Sequence, residues 1–211
     1  MDDAGQAQTI QQAIQTGVPV FLDDTGLQKL AFAVGGYGTP QVVDDATLNN
    51  MPGVDLYRTV SSHRNTQLGT NYTGTEIAQQ VLYSDYTVYN SKGGRAYGNG
   101  LYFADDYGES VSYVSDSNPD RKTMRCKITG KIITDSQLTT KFRNDNSQMA
   151  RTIKGANWSS DEKQAVYAIS KGYTAVKHPG PGYYTILNRS GVAFSNRIKD
   201  TTGRSGRGYA W

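Results

Sequence analysis

At 211 residues the chain falls in the single-domain range and can bury a core without disulfides or metals. With 36% hydrophobic residues, 19% charged residues and fifteen tyrosines, it is excluded from the class of disordered polyelectrolytes. A net charge of +3 with interspersed signs leaves no broad nucleic-acid footprint, one cysteine cannot close an internal disulfide, and two histidines do not furnish an ordinary zinc site.

The first residues, MDDAGQAQTIQQAIQTG, lack the basic start and apolar stretch of a signal peptide, and no run approaches membrane-spanning length. The expectation is a soluble cytoplasmic protein with no membrane partner. Ile10, Ala13 and Ile14 share one face of a short helix ended by Gly17, and Leu27, Leu30, Ala31 and Val34 repeat the pattern before Gly35 and Gly36. After the turn-prone Met51, Pro52 and Gly53, the stretch Val54 to Val60 alternates at strand period, with Val54, Leu56 and Arg58 on one face.

Thr73 stands three residues before Glu76 in capping-box spacing and opens a helix to Leu82. A glycine-rich loop, Ser91 to Asn99, then offers backbone freedom near Lys92 and Arg95, either to approach a phosphate or simply to lead into the next strand. Leu101 to Ala104 reads as a strand, and Asp106 with Glu109 starts a helix on which Ser110 and Tyr113 are neighbours. Lys122 to Ile128 alternates, placing Met124, Cys126 and Ile128 inward and Arg125 and Lys127 outward, and Ile132 and Ile133 extend the sheet. Ser159 with Glu162 caps a helix to Lys171, stopped by Gly172; strands YTAVK and YYTILN follow around the turn KHPGPG. Early helices followed by short strands with inserted helices describe an α+β domain, not a doubly wound sheet.

The most specific feature is the segment Gly98 to Tyr113, GNGLYFADDYGESVSY. The order Gly98, Gly100, Tyr102, Phe103, Ala104, Ser110, Tyr113 resembles the second signature segment of poly(ADP-ribose) polymerase and diphtheria-toxin type ADP-ribosyltransferases. KGYTAV and YYTILNRSGVAF resemble the turn and closing strand of bacterial and phage-encoded members. The resemblance implies the ADP-ribosyltransferase fold: two small, packed, antiparallel-rich sheets around an NAD+ cleft, with peripheral helices. One domain is expected over residues 1–198, with a helical part at 1–50 from the periodicity and, as the resemblance implies, an NAD-binding core at 51–198; the Gly/Arg residues 199–211, without apolar periodicity, are expected to form a flexible tail.

In that family Tyr102 and Tyr113 would sandwich the nicotinamide ring and Ser110 would hydrogen-bond its carboxamide, with Gly100, Phe103 and Ala104 completing the strand. A flat pyridinium stacks well on tyrosine faces, and a buried amide needs partners. The backbone of Thr59 would supply the remaining amide contacts. Arg58 stands where the polymerase-like branch has histidine, as in the arginine-serine-glutamate branch, and its planar fork suits the NAD+ pyrophosphate or ribose.

The closing strand of catalytic members carries a glutamate. Here Tyr184, or Tyr183 after a one-residue slip, takes that position. Asp55, Glu76, Asp105 and Glu109 are candidate substitutes for that glutamate, each with a simpler reading as a solvated or helix-capping carboxylate, and His63 and His178 read as surface residues. The resemblance therefore implies a mono-ADP-ribosyltransferase that uses NAD+ as co-substrate and no metal, with a protein or nucleic-acid acceptor. Hydrolysis of NAD+ fits the same residues. The alternative is a catalytically silent module that binds NAD+ or an ADP-ribose nucleotide, or an interaction protein of a phage or mobile element.

Overall fold

The computed structural model describes residues 38–65, 70–84, 100–180, 182–203 and 211. The two helices expected before Gly36 and the loop 91–99, with Gly98, lie outside the described residues. Strand β1 (Gln41–Val43), helix α1 (Asp45–Asn50), β2 (Leu56–Val60) and the antiparallel pair β3 (His63–Asn65) and β4 (Thr70–Tyr72) lead to α2 (Gly74–Tyr83). Next come β5 (Leu101–Ala104), α3 (Tyr107–Ser112), β6 (Lys122–Ile128) and β7 (Lys131–Thr134). Helices α4 (Asp135–Asn144), α5 (Gln148–Gly155) and α6 (Ser160–Ser170) precede β8 (Tyr173–Lys177), β9 (Tyr183–Ile186), β10 (Val192–Ser195) and β11 (Lys199–Asp200).

Local chemistry sets the helix ends. Thr73 with Glu76, Thr134 with Gln137 and Ser159 with Glu162 form reciprocal capping boxes, each supplying partners for amides that a helix start leaves unpaired. Gly172, at φ +77°, takes the left-handed conformation that stops α6. Helices α4 and α5, unmarked in the sequence reading, begin at Thr134 and Ser147, whose side chains accept from Gln137 N and Ala150 N.

Among the described residues nine strands form one mixed sheet in the order β1-β10-β6-β2-β5-β9-β8-β7, with β11 also on β6. The expected pair of separate sheets is therefore a single connected one. Its middle is thin: β2 meets β6 through five residue pairs and β5 meets β9 through four, but β2 meets β5 only at Tyr57 and Ala104.

Each face carries its own core. Leu56, Leu101, Phe103, Met124, Cys126, Ile186 and Phe194 pack with Ile77, Val81 and Leu82 of α2. On the opposite face Ile133 and Val176 pack against Leu138, Ile153, Val166 and Ile169 of α4 to α6. Strand alternation makes the two cores opposite, because Val176 and Ala175 point to different sides. Cys126 is a fully buried free thiol in the first core, and burial pushes its pKa up.

Two expectations need correction. Arg125 and Lys127 are buried, each 6% exposed, since residues 49–55 cover that side of β6 and supply the partners that burying a charge requires. Arg125 donates to Asp55 and to Asn49 Oδ1 at 2.6 Å, and Lys127 Nζ to Met51 O at 2.7 Å. The supposed tail from 199 begins as a strand: Lys199 and Asp200 pair with Thr123 and Lys122 of β6, Thr201 is fully buried, and Trp211 packs on Tyr57 and Tyr107.

Two arginines with 0% exposure hold helix ends. Arg189 Nη1 donates to Gln80 O at 3.0 Å and Val81 O at 2.7 Å in the last turn of α2. Arg121 Nη2 donates to Val111 O at 2.7 Å near the end of α3, and its Nη1 pairs with Asp116 at 2.8 Å. Each cation sits at the negative end of a helix. Among the described residues no helix is long and apolar enough to cross a membrane.

Candidate functional site

Alternation along β5 sends Leu101 and Phe103 into the α2-side core and Tyr102 and Ala104 to the other face. Register then sets Tyr183 beside Ala104 and Thr185 beside Tyr102. Across the thin junction Tyr57 is paired with Ala104, so Tyr57 and Thr59 share this face. Helix α3 packs on β2 and β5 here, and α4 to α6 cover the β7–β8 end of the same face. Between the two groups of helices, Tyr102, Thr185 and Tyr183 lie on one face of the sheet, Thr185 fully buried and the two tyrosines partly exposed.

Gly100 lets the start of β5 pack closely on Thr185 of β9. A Cβ at this position would stand 2.1 Å from Thr185 Cγ2, inside any tolerable contact. Gly100→Ala is expected to push Thr185 off its partners and cost about 1–3 kcal/mol of stability. Urea unfolding of the variant checks this; an unchanged midpoint would contradict the packing.

On the α3 side, Ser110 is buried and its hydroxyl lies 3.1 Å from Thr59 Oγ1. Thr59 continues to Thr123 Oγ1 at 2.8 Å, and Thr123 to Thr201 Oγ1 at 3.2 Å. A line of buried hydroxyls thus runs from Ser110 through β2 and β6 to the residues after β11. Hydroxyls both donate and accept, so the line can reverse polarity to suit a ligand's carbonyl or amide.

Tyr102 is half-buried, and desolvation pushes its hydroxyl up to about 12 while the hydrogen bond with Thr185 opposes the rise. Its ring stacks on His178, with centroids 6.2 Å apart and planes 19° from parallel. His178 Nε2 lies 2.6 Å from Thr185 Oγ1. The expected surface histidine is therefore a half-buried part of the site, because the turn between β8 and β9 folds it back over β5. A lone histidine beside proline carried no periodic signal of this; the register of two strands decides it.

Burial lowers the His178 pKa, with the charge of Asp135 working against the shift. A histidine whose folded pKa is depressed contributes stability above its ordinary value of about 6.5, and loses that contribution as pH falls toward the folded value. Unfolding free energy is therefore expected to drop on acidification from pH 7 through the histidine range, and the drop to shrink in His178→Gln. Equal slopes in the two proteins would contradict the burial of a neutral imidazole.

The expected tyrosine sandwich is not formed. Tyr113, the cap of α3, is 66% exposed and meets Tyr183 edge-on at 5.9 Å and 73°. Tyr102 faces His178. Ser110 and Tyr113, neighbours in sequence spacing, thus part company: the first is buried and the second stands at the rim.

Arg58 is also corrected. It shares the Leu56 and Val60 side of β2, is 5% exposed, and brings Cζ to 6.0 Å from the Phe103 ring centroid. Its Nη1 donates to Tyr102 O at 2.8 Å. The guanidinium thus reaches from β2 to the backbone of β5 on the α2 side of the sheet, the face opposite the side chains of Tyr102 and Thr59.

Tyr184, expected in place of the glutamate, is 5% exposed and lies beside Phe103 in the α2-side core. Strand alternation turns it to the face opposite Tyr102. The residue of the one-residue slip, Tyr183, shares the face of Tyr102, and its hydroxyl donates to Glu109 Oε1. That bond raises the Tyr183 pKa. Among the other carboxylates, Asp55 is engaged with Arg125, Glu76 with the α2 cap, and exposed Asp105 joins the turn after β8 through its amide, Asp105 N to Gly182 O at 2.8 Å. Asp161 reaches the site through its charge, which acts on Tyr102.

No protein-family model, curated protein or solved structure matches this chain.

Proposed function

We propose that the protein binds NAD+ with its nicotinamide in a cleft between α3 and α6, and transfers single ADP-ribose units to a macromolecular acceptor in the cytoplasm. The observation that carries the reading is the convergence of Tyr102, Ser110 and Thr59 on one face beside the thin β2–β5 junction. The junction also supports the ADP-ribosyltransferase fold, since two half-sheets held by one pair approximate two small sheets around a cleft.

In this reading Tyr102, backed by His178, stacks on the pyridinium, and the Ser110–Thr59 hydroxyls meet the carboxamide. Neutral His178 suits a cationic neighbour better than a charged one. Arg58 positions Tyr102 by holding its carbonyl. Tyr113 reaches the ring from the rim by rotating off Tyr183. Gly100, Phe103 and Ala104 act through the backbone and packing of β5.

One observation favours the second reading, a catalytically silent NAD+-binding or interaction module: the strand position that would carry glutamate holds a tyrosine turned into the core. Incubation with NAD+ labelled in the adenylate, with cell lysate as acceptor, separates the two. Label on protein or nucleic acid with release of nicotinamide supports transfer. NAD+ binding with neither sign supports the silent module.

A further inference from the structure

We infer that Glu109, held by Tyr183, is the carboxylate that faces the ribose of bound NAD+, supplied from helix α3 and not from the closing strand. The inference rests on the NAD+ reading above. Glu109 is exposed at the rim, one residue before buried Ser110, and accepts from the hydroxyl of Tyr183, 74 positions later in the chain. Tyr183 shares the face of Tyr102 beside Ala104, and the rim ring of Tyr113 leans on it. A contact so distant in sequence holds the carboxylate of α3 against the start of β9.

The position suits the charge that the reaction develops. When the C1′–N bond of the nicotinamide riboside breaks, its electron pair leaves with the nicotinamide nitrogen and the ribose is left cationic at C1′. A fixed carboxylate stabilises that cation, and its field is strongest in the transition state. An acceptor O–H or N–H then forms the new bond to C1′ and gives its proton to Glu109 or to water. The sum is NAD+ plus acceptor giving nicotinamide, ADP-ribosylated acceptor and one proton. Tyr183 has a positioning role, since it acts through Glu109.

Glu109 serves the helix start through its main-chain amide, which donates to Asp106 Oδ1 at 2.7 Å, and Glu109→Gln keeps that bond. The test measures NAD+ affinity by calorimetry and nicotinamide release by chromatography in the wild-type chain, Glu109→Gln, Tyr183→Phe and Asp161→Asn. The expected result is release about 100-fold slower in Glu109→Gln with NAD+ affinity and unfolding midpoint kept. Tyr183→Phe is expected to lose less, again in turnover and not in affinity. Unchanged release in Glu109→Gln, an equal loss in Asp161→Asn, or a wild-type chain that binds NAD+ and releases no nicotinamide would each overturn the inference and leave NAD+ binding standing. A wild-type chain that fails to bind NAD+ would overturn both.

Discussion

Arg189→Ala is expected to lower the unfolding free energy by at least about 3 kcal/mol, enough to unfold a marginal domain. The guanidinium is fully buried and donates to the carbonyls of Gln80 and Val81, so its removal takes a donor from each, with Gln80 O keeping the amide of Ser84, and leaves a cavity. Each orphaned buried acceptor costs about 1–3 kcal/mol. Arg189→Lys keeps the charge but lacks the planar fork and is expected to recover only part of the loss. Urea unfolding of both variants checks this; a loss below about 1 kcal/mol in Arg189→Ala would show that water replaces the guanidinium.

Tyr102→Ala is expected to weaken NAD+ binding at least about tenfold, the joint worth of one aromatic stack and its cation–π component. The same change removes the support on which His178 stacks. Tyr102→Phe keeps the ring and gives up the Thr185 hydrogen bond, and is expected to stay within about threefold of the parent. Isothermal titration of both variants separates stacking from hydroxyl chemistry. Equal loss in the two would assign the effect to the hydroxyl and remove the stacking role.

Local signals were legible in the sequence. The Thr73–Glu76 and Ser159–Glu162 spacings gave α2 and α6, and the alternation of LYRTV, LYFA and KTMRCKI gave β2, β5 and β6. Pairing across distance was not. That Arg125 and Lys127 are covered depends on residues 49–55 returning over β6, and no periodicity within β6 encodes it.

The site divides the same way. Tyr102, Ser110 and Thr59 share a face because short-range alternation and one strand pair put them there. Tyr184 and Tyr183 differ by one residue, and the register of β9 on β5 alone decides which shares the face of Tyr102. The resemblance makes Arg58 a ligand for the pyrophosphate or ribose because it stands at the first-motif position, but its odd-even place in β2 puts it on the α2 side of the sheet. Glu109 looked like a cap residue and does donate its amide to Asp106; the contact of its carboxylate with Tyr183 appears only when α3 and β9 are brought together.

The most direct test of the NAD+ cleft is a calorimetric titration of the wild-type chain with NAD+, repeated in the presence of free nicotinamide. The expected result is saturable one-site binding that nicotinamide weakens competitively and Tyr102→Ala largely abolishes. No heat of binding up to millimolar NAD+, or binding that neither nicotinamide nor Tyr102→Ala disturbs, would contradict it.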